Sequence, residues 1–199
     1  MPIKTNIHNQ LYEKYSFDEL GGLVFNLAEK IIAKNREYDR LVAPAKGGLT
    51  FARSLVDLLK IPDVSSIKIE FYTDIATTNA TPIITQSLPV NIKGERVLIY
   101  DDLIDSGETL ELASKYLKQA GAKSVDTAVI FRKTWTKKDS NFFVAESDSW
   151  IIFPNETRET ITLLENSWKE KGDNPKKIRQ QLLEIGFKQE ELALFAAPE

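Results

Sequence analysis

Residues 97–110 read Val-Leu-Ile-Tyr-Asp-Asp-Leu-Ile-Asp-Ser-Gly-Glu-Thr-Leu, and no other stretch constrains this chain as strongly. Four consecutive apolar residues, Val97–Tyr100, suit a central parallel strand buried on both faces. A helix is expected from Thr109 to about Ala120, with Gly121 as its stop. Between strand and helix lies Ser106-Gly107-Glu108-Thr109. At a helix start several backbone N–H groups lack partners and point one way, and the helix dipole makes that place attractive to an anion. Gly107 lets the backbone approach a phosphate closely, and Ser106 and Thr109 add hydroxyl donors.

Three carboxylates, Asp101, Asp102 and Asp105, precede this turn. They would repel a phosphate, so they need other partners. Accepting hydrogen bonds from ribose hydroxyls is one use, and anchoring Mg²⁺ directly or through water is another. A ligand with phosphate, sugar and metal meets all these demands. An ordinary loop with a helix cap would explain a lone Asp-x-Ser-Gly, since Asp and Ser favour caps. It does not explain the whole strand–acid–turn–helix unit. No Walker A loop is present and no Gly-x-Gly-x-x-Gly follows a strand, which argues against nucleoside-triphosphatase and dinucleotide readings.

The remaining pattern is α/β. Ser16-Phe17-Asp18-Glu19 has the form of a capping box, followed by Leu20, Leu23, Val24, Leu27, Ile31 and Ile32 at helical spacing. Arg40–Ala43 reads as a strand ending at Pro44. Ala45-Lys46-Gly47-Gly48 is a turn, and Leu49, Ala52, Leu55, Val56 and Leu59 line a second helix. Ile67, Ile69 and Phe71 alternate with polar neighbours as in a strand near a sheet edge. Thr73–Asn91 is polar and Thr-rich, a long functional loop or a short hairpin. Val125–Phe131 is another buried strand. Phe142–Val144 and Trp150–Phe153 look like a small annex, and the tail from Thr157 like amphipathic helices. The fold class is therefore α/β with a mainly parallel sheet flanked by helices, and ligands in such sheets sit beyond the carboxyl ends of the strands.

With 199 residues, 42% of them hydrophobic, the chain can bury a core of one domain with added elements. The formal net charge of −3 argues against nucleic-acid binding. There is no cysteine for a disulfide, and the lone His8, read as a solvated residue, cannot build a histidine metal cluster. No apolar run is long enough for a membrane span, and Met1-Pro2-Ile3-Lys4 lacks a signal-peptide core, so a cytoplasmic protein without membrane contact is expected.

Val97–Leu110 resembles the ribose-phosphate signature of the type I phosphoribosyltransferases: four apolar residues, two acids, two apolar residues, then Asp-Ser/Thr-Gly-x-Thr. The resemblance runs from about Ser16 to Glu156. It is strongest toward the small bacterial and archaeal 6-oxopurine enzymes of the xanthine-guanine and hypoxanthine-guanine type. It implies the type I fold, a base-binding hood at about 133–156 within a domain spanning 1–156, and a helical extension at 157–199. It implies transfer of a phosphoribosyl group from 5-phosphoribosyl 1-pyrophosphate to hypoxanthine, guanine or xanthine, with Mg²⁺, in purine salvage. Homodimers are usual among such enzymes.

Residue by residue, the resemblance assigns ribose and 5-phosphate binding to Asp101, Asp102, Asp105, Ser106, Gly107, Glu108 and Thr109. Asp105 faces purine N7 as the catalytic acid–base group. Lys46, Gly47 and Gly48 match the pyrophosphate loop, where a cation and exposed amides suit a diphosphate. Lys133 matches a donor to the 6-oxo group. Trp150 matches an aromatic residue stacked on the base, and Ile151 a backbone contact to it. Mg²⁺ is assigned to Asp102, with Asp101 and Glu156 as candidate further ligands. Thr73–Asn91 is expected to act as a lid. Two departures stand out: Pro154-Asn155-Glu156 where relatives often have Pro-Trp-Glu, and Lys133-Thr134-Trp135 where they often have Lys-Pro-Trp. A non-catalytic sensor of the activated sugar or of a nucleotide, on the same fold, is the alternative.

Overall fold

The computed structural model describes residues 1–73 and 80–197. In chain order its elements are strands β1 (Ile3–Ile7) and β2 (Gln10–Lys14), helix α1 (Phe17–Ile32), β3 (Arg40–Ala45), α2 (Leu49–Leu58), β4 (Asp63–Thr73), β5 (Ala80–Gln86), β6 (Arg96–Ile104), α3 (Glu108–Gln119), β7 (Ser124–Arg132), β8 (Phe142–Glu146) and β9 (Trp150–Ile152). A 3-10 turn, Pro154–Glu156, then leads into α4 (Thr157–Glu170), α5 (Pro175–Ile185) and α6 (Gln189–Phe195). None of the described helices is long and apolar enough to cross a membrane.

The chain divides into two compact units, Gly21–Ser147 and Met1–Leu20 with Asp148–Glu199. The larger unit holds a six-stranded sheet in the order β5-β4-β3-β6-β7-β8. All neighbours pair in parallel except β5, which runs antiparallel to β4. After β3 the chain moves to β4 on one side and later to β6 on the other, which makes the β3/β6 pair the switch point where such sheets bind ligands. Val97, Leu98, Ile99 and Tyr100 of β6 are all fully buried. Alternation sends Val97 and Ile99 to one face, into a core with Leu110, Ala113 and Leu117 of α3 and Val42, Ile67 and Val129 of the sheet. Each buried Val, Leu or Ile among these contributes about 1.5–3 kcal/mol. The core thus fixes where β6 ends and where α3 begins.

One expectation changes in this unit. Phe142–Val144 is not in an annex: it lies in β8, an edge strand pairing Phe142 with Ala128 and Phe143 with Val129. Of the two readings offered for the polar stretch Thr73–Asn91, a loop or a hairpin, the strand pairing is the one found, with Ile84 of β5 opposite Ile69 of β4. Thr and Ile favour a pleated surface, and the polar composition reflects a hairpin that is largely exposed. The lid expected there falls partly on residues 74–79, which lie outside the described residues.

The smaller unit is a β1-β2-β9 sheet covered by helices. β1 and β2 form an antiparallel hairpin, and β9 joins β2 in parallel. Ile7, Tyr12 and Ile152 of these strands share one core with Ile161, Leu164 and Trp168 of α4, Ile178, Leu182 and Ile185 of α5 and Leu192 of α6. The tail is therefore not a separate package in this structure. Its helices share a core with residues 1–14, whereas the sequence suggested a division at Glu156/Thr157. The hairpin escaped the sequence reading because Ile3, Ile7 and Leu11 do not alternate cleanly. His8, at φ 52° in the hairpin turn, is not simply solvated either: its Nε2 lies 2.6 Å from Asp173 Oδ2. Lys177 Nζ donates to the other oxygen of Asp173 at 2.6 Å, and these two partners, Lys177 foremost, hold that carboxyl at about 2.

Candidate active site

The carboxyl ends of β3 and β6 carry two loops that the sequence singled out. After β3, Lys46 is exposed, and Gly48 precedes α2 as its N-cap with no side chain capping the helix. The Ala45–Lys46 peptide is cis. After β6, Gly107 is the N-cap of α3 in the left-handed region at φ 87°, again with no side-chain cap. That φ requires glycine, and a Cβ there would also stand 2.8 Å from both Cβ and the carbonyl oxygen of Lys138. Two helix starts thus present backbone amides at the same sheet edge, as anion sites do.

The strand separates the acids. Asp101 lines a cavity of about 280 Å³ with Phe71, Leu103, Ile104, Asp105, Ser106, Gly107, Thr109 and Leu110. Asp102, one residue on, faces the other way and packs against the Lys46 loop: a Cβ on Gly47 would meet its Oδ2 at 2.7 Å. Asp101 Oδ1 also accepts the Asp102 N–H at 3.0 Å. Beneath Asp102, burial and the charges of Asp102 and Asp101 push the Tyr100 phenol well above its ordinary range. Its hydroxyl is buried with no hydrogen-bond partner among the described residues.

The donor set fits Mg²⁺ in the sparing way that ion is held, by one or two carboxylates with substrate oxygens completing the shell. Asp102 is half-buried against the Lys46–Gly48 loop, and no group of three or more acidic or histidine side chains suited to a metal occurs among the described residues.

The third contribution comes from the turn after β7. Lys133 is buried, only 5% exposed, and its N–H donates to the Ile104 carbonyl at 3.0 Å. Its ammonium lies 5.4 Å from the ring centroid of Trp135. Trp135 Nε1–H donates to Asp105 Oδ1 at 2.6 Å, and Thr136 Oγ1 donates to the Asp105 carbonyl at 2.5 Å. Arg132 is turned to other use, binding Glu146 and Asp139 and lying 4.2 Å from the Phe143 ring centroid. Lys138 pairs with Glu111.

One unit thus carries Lys46–Gly48, Asp101–Thr109 and Lys133. Trp150, Ile151 and Glu156 belong to the other. There Trp150 opens β9 at 40% exposure, opposite Tyr12 with ring centroids 6.2 Å apart, and Ile151 is buried opposite Glu13. Trp150 is therefore not a core tryptophan. Trp135, Thr136 and Phe71 had no assigned role in the sequence reading. Phe71 was legible as sharing a strand face with Ile67 and Ile69; the contacts of Trp135 and Thr136 cross from one loop to another and leave no periodic signal.

With this geometry in place, comparison with known proteins gives a consistent result. The phosphoribosyl transferase domain family matches residues 16–162, and the chain belongs to that family. The structure of a purine phosphoribosyltransferase from Pyrococcus horikoshii Ot3 is similar, with 31% identity and a TM-score of 0.65, over 72% of this chain and 93% of that one. Xanthine-guanine phosphoribosyltransferase of Gluconobacter oxydans is 27% identical over 148 residues, 73% of this chain and 85% of that protein. Ribose-phosphate pyrophosphokinase of Methanobrevibacter smithii is 32% identical over 108 residues, but the match spans only 36% of that enzyme's length. The α/β class with a mainly parallel, helix-flanked sheet is the one expected from the sequence.

Proposed function

We propose that the chain transfers the 5-phosphoribosyl group of 5-phosphoribosyl 1-pyrophosphate to a 6-oxopurine, releasing pyrophosphate, and so serves purine salvage. The observation that carries this reading is the buried Lys133 linked through Trp135 to Asp105 at the edge of the phosphate turn. A phosphate cradle alone suits any enzyme of the family, the pyrophosphokinases included. A buried lysine and an acid, both in contact with Trp135, add a donor and an acceptor of the kind a heteroaromatic ring with an oxo group needs. The extent of the matches agrees, since the Pyrococcus purine enzyme is covered over 93% of its length and the pyrophosphokinase over 36%.

In this mechanism the α3 amides, Ser106 and Thr109 hold the 5-phosphate. Asp101, in the same cavity, accepts hydrogen bonds from the ribose hydroxyls. Lys46 and the α2 amides stabilise charge on the departing pyrophosphate, where it develops. Asp102, with Asp101 beside it, would hold Mg²⁺, which when bound neutralises diphosphate charge. Asp105 takes or shares the proton at purine N7 as the base attacks the anomeric carbon. Lys133 donates to the 6-oxo group, which disfavours adenine. Trp150, exposed in its own unit, keeps the aromatic face that a stacking role needs.

The test is a panel of hypoxanthine, guanine, xanthine and adenine, each incubated with the activated sugar and Mg²⁺, with pyrophosphate and nucleotide measured. One or more 6-oxopurines should support release and adenine should be poor. Tight binding of the activated sugar without turnover on any base would instead favour a ligand-sensing regulator.

A further inference from the structure

Asp105 is exposed, and a lone exposed aspartate at a strand end has several rotamers open to it. Here the turn after β7 restrains it. The Lys133 N–H bonds to the Ile104 carbonyl at 3.0 Å, and Thr136 closes the turn through its N–H to the Lys133 carbonyl at 3.1 Å. Thr136 Oγ1 then reaches the Asp105 carbonyl, and Trp135 Nε1–H the Asp105 side chain at 2.6 Å. Backbone and side chain of Asp105 are thus both held from one short segment.

The indole N–H is a donor only, so it has no competing use for a proton, and its bond to a carboxylate is charge-assisted. Trp135 is itself 53% exposed, so its indole N–H bond to Asp105 lies at the surface of the turn, within reach of a ligand. Its face carries the Lys133 ammonium. One side chain therefore touches both groups that the proposed function assigns to neighbouring positions, N7 and the 6-oxo oxygen, on one edge of the purine.

We propose that Trp135 is the positioning residue of the base site: its indole N–H fixes Asp105 through Oδ1, leaving Oδ2 for the purine, while its ring face sets the place of the Lys133 ammonium. This rests on the base-transfer reading.

The test separates the N–H from the ring. Trp135 is replaced by benzothienylalanine, which keeps the shape and removes the donor, and in parallel by Phe. Misplacing a catalytic group typically costs up to about 100-fold, so kcat for the preferred base should fall about 10- to 100-fold in both, with KM for the activated sugar held within about twofold. Independently of activity, the Trp135 indole N–H resonance of ¹⁵N-labelled protein should shift on Asp105→Ala and remain observable in the wild-type complex with nucleotide product. A benzothienyl enzyme as fast as wild type, a resonance unmoved by Asp105→Ala, or one lost on nucleotide binding overturns the role of Trp135. A wild-type chain that transfers to no base overturns the underlying reading instead.

Discussion

Gly48 lies flush against the Tyr100 carbonyl: a Cβ on it would overlap that backbone oxygen and stand 3.0 Å from the Pro44 carbonyl oxygen. Both obstacles belong to strands β3 and β6 and cannot swing aside. Its neighbour Gly47 faces the Asp102 carboxylate, a side chain that can rotate. Adjacent alanine substitutions should therefore fail differently. Gly48→Ala should cost about 1–3 kcal/mol of stability, as overpacking does, and lower Tm by several degrees. Gly47→Ala should keep Tm near wild type and weaken use of the activated sugar, most at low Mg²⁺, by displacing Asp102. Thermal melts with KM measured across Mg²⁺ concentrations decide it; equal Tm losses would show that the two glycines are merely structural.

Replacing Asp105 by Ala should leave the phosphate cradle intact, because the α3 amides and Gly107 do not depend on that side chain. General acid–base groups contribute about 10²- to 10⁴-fold, so kcat should fall in that range with little change in affinity for the activated sugar. Stopped-time nucleotide assays with a direct binding measurement separate the two quantities. Unchanged turnover removes Asp105 from the chemistry.

Much of this site was legible in sequence because it is local. Val97–Tyr100 suits a buried strand, Gly107 sits at the turn into α3, and three acids beside a helix start suit a sugar or a metal. What sequence could not separate was Asp101 from Asp102. Strand alternation sends one into the cavity and the other against Gly47, and the partner surface comes from a loop more than fifty residues earlier in the chain. The Trp135–Asp105 bond joins two loops across thirty residues and has no periodicity to reveal it. The hairpin β1-β2 was missed for a related reason: its core partners are the helices α4 to α6, at the far end of the chain.

Lys133 gives a prediction about specificity. Its ammonium is buried, so desolvation makes it costly unless a ligand or neighbour repays it. Lys133→Met should remove the donor to the 6-oxo group without opening a cavity. A hydrogen bond to a charged group is worth about 1.5–3 kcal/mol, so kcat/KM for the preferred 6-oxopurine should drop about 10- to 100-fold. Adenine, which offers no oxo group, should lose far less. Steady-state kinetics with both bases checks the ratio; parallel losses would assign Lys133 to the structure of the turn.

The opposite end of the sheet supplies a pH test that should leave catalysis untouched. Arg96 Nη2 donates to Asp39 Oδ1 at 2.7 Å, and its Nε and backbone N–H donate to Oδ2 at 3.0 and 2.7 Å. The side-chain bonds foremost, then the backbone bond, hold the Asp39 carboxyl at about 2, against an ordinary 3.8. A carboxyl depressed in the folded state stabilises the protein above its unfolded pKa and loses that contribution as pH falls through the folded one. The pair is partly exposed, so solvent screens it and the effect should be modest. Asp39→Asn should lower Tm at neutral pH by an amount that stays constant down to roughly pH 4–5 and shrinks toward pH 2. Turnover at neutral pH should match wild type, because Asp39 precedes β3 and Arg96 opens β6, strands whose far ends carry the site. A Tm difference that does not shrink in acid would mean that the asparagine disturbs packing and that the ionised pair contributes nothing of its own.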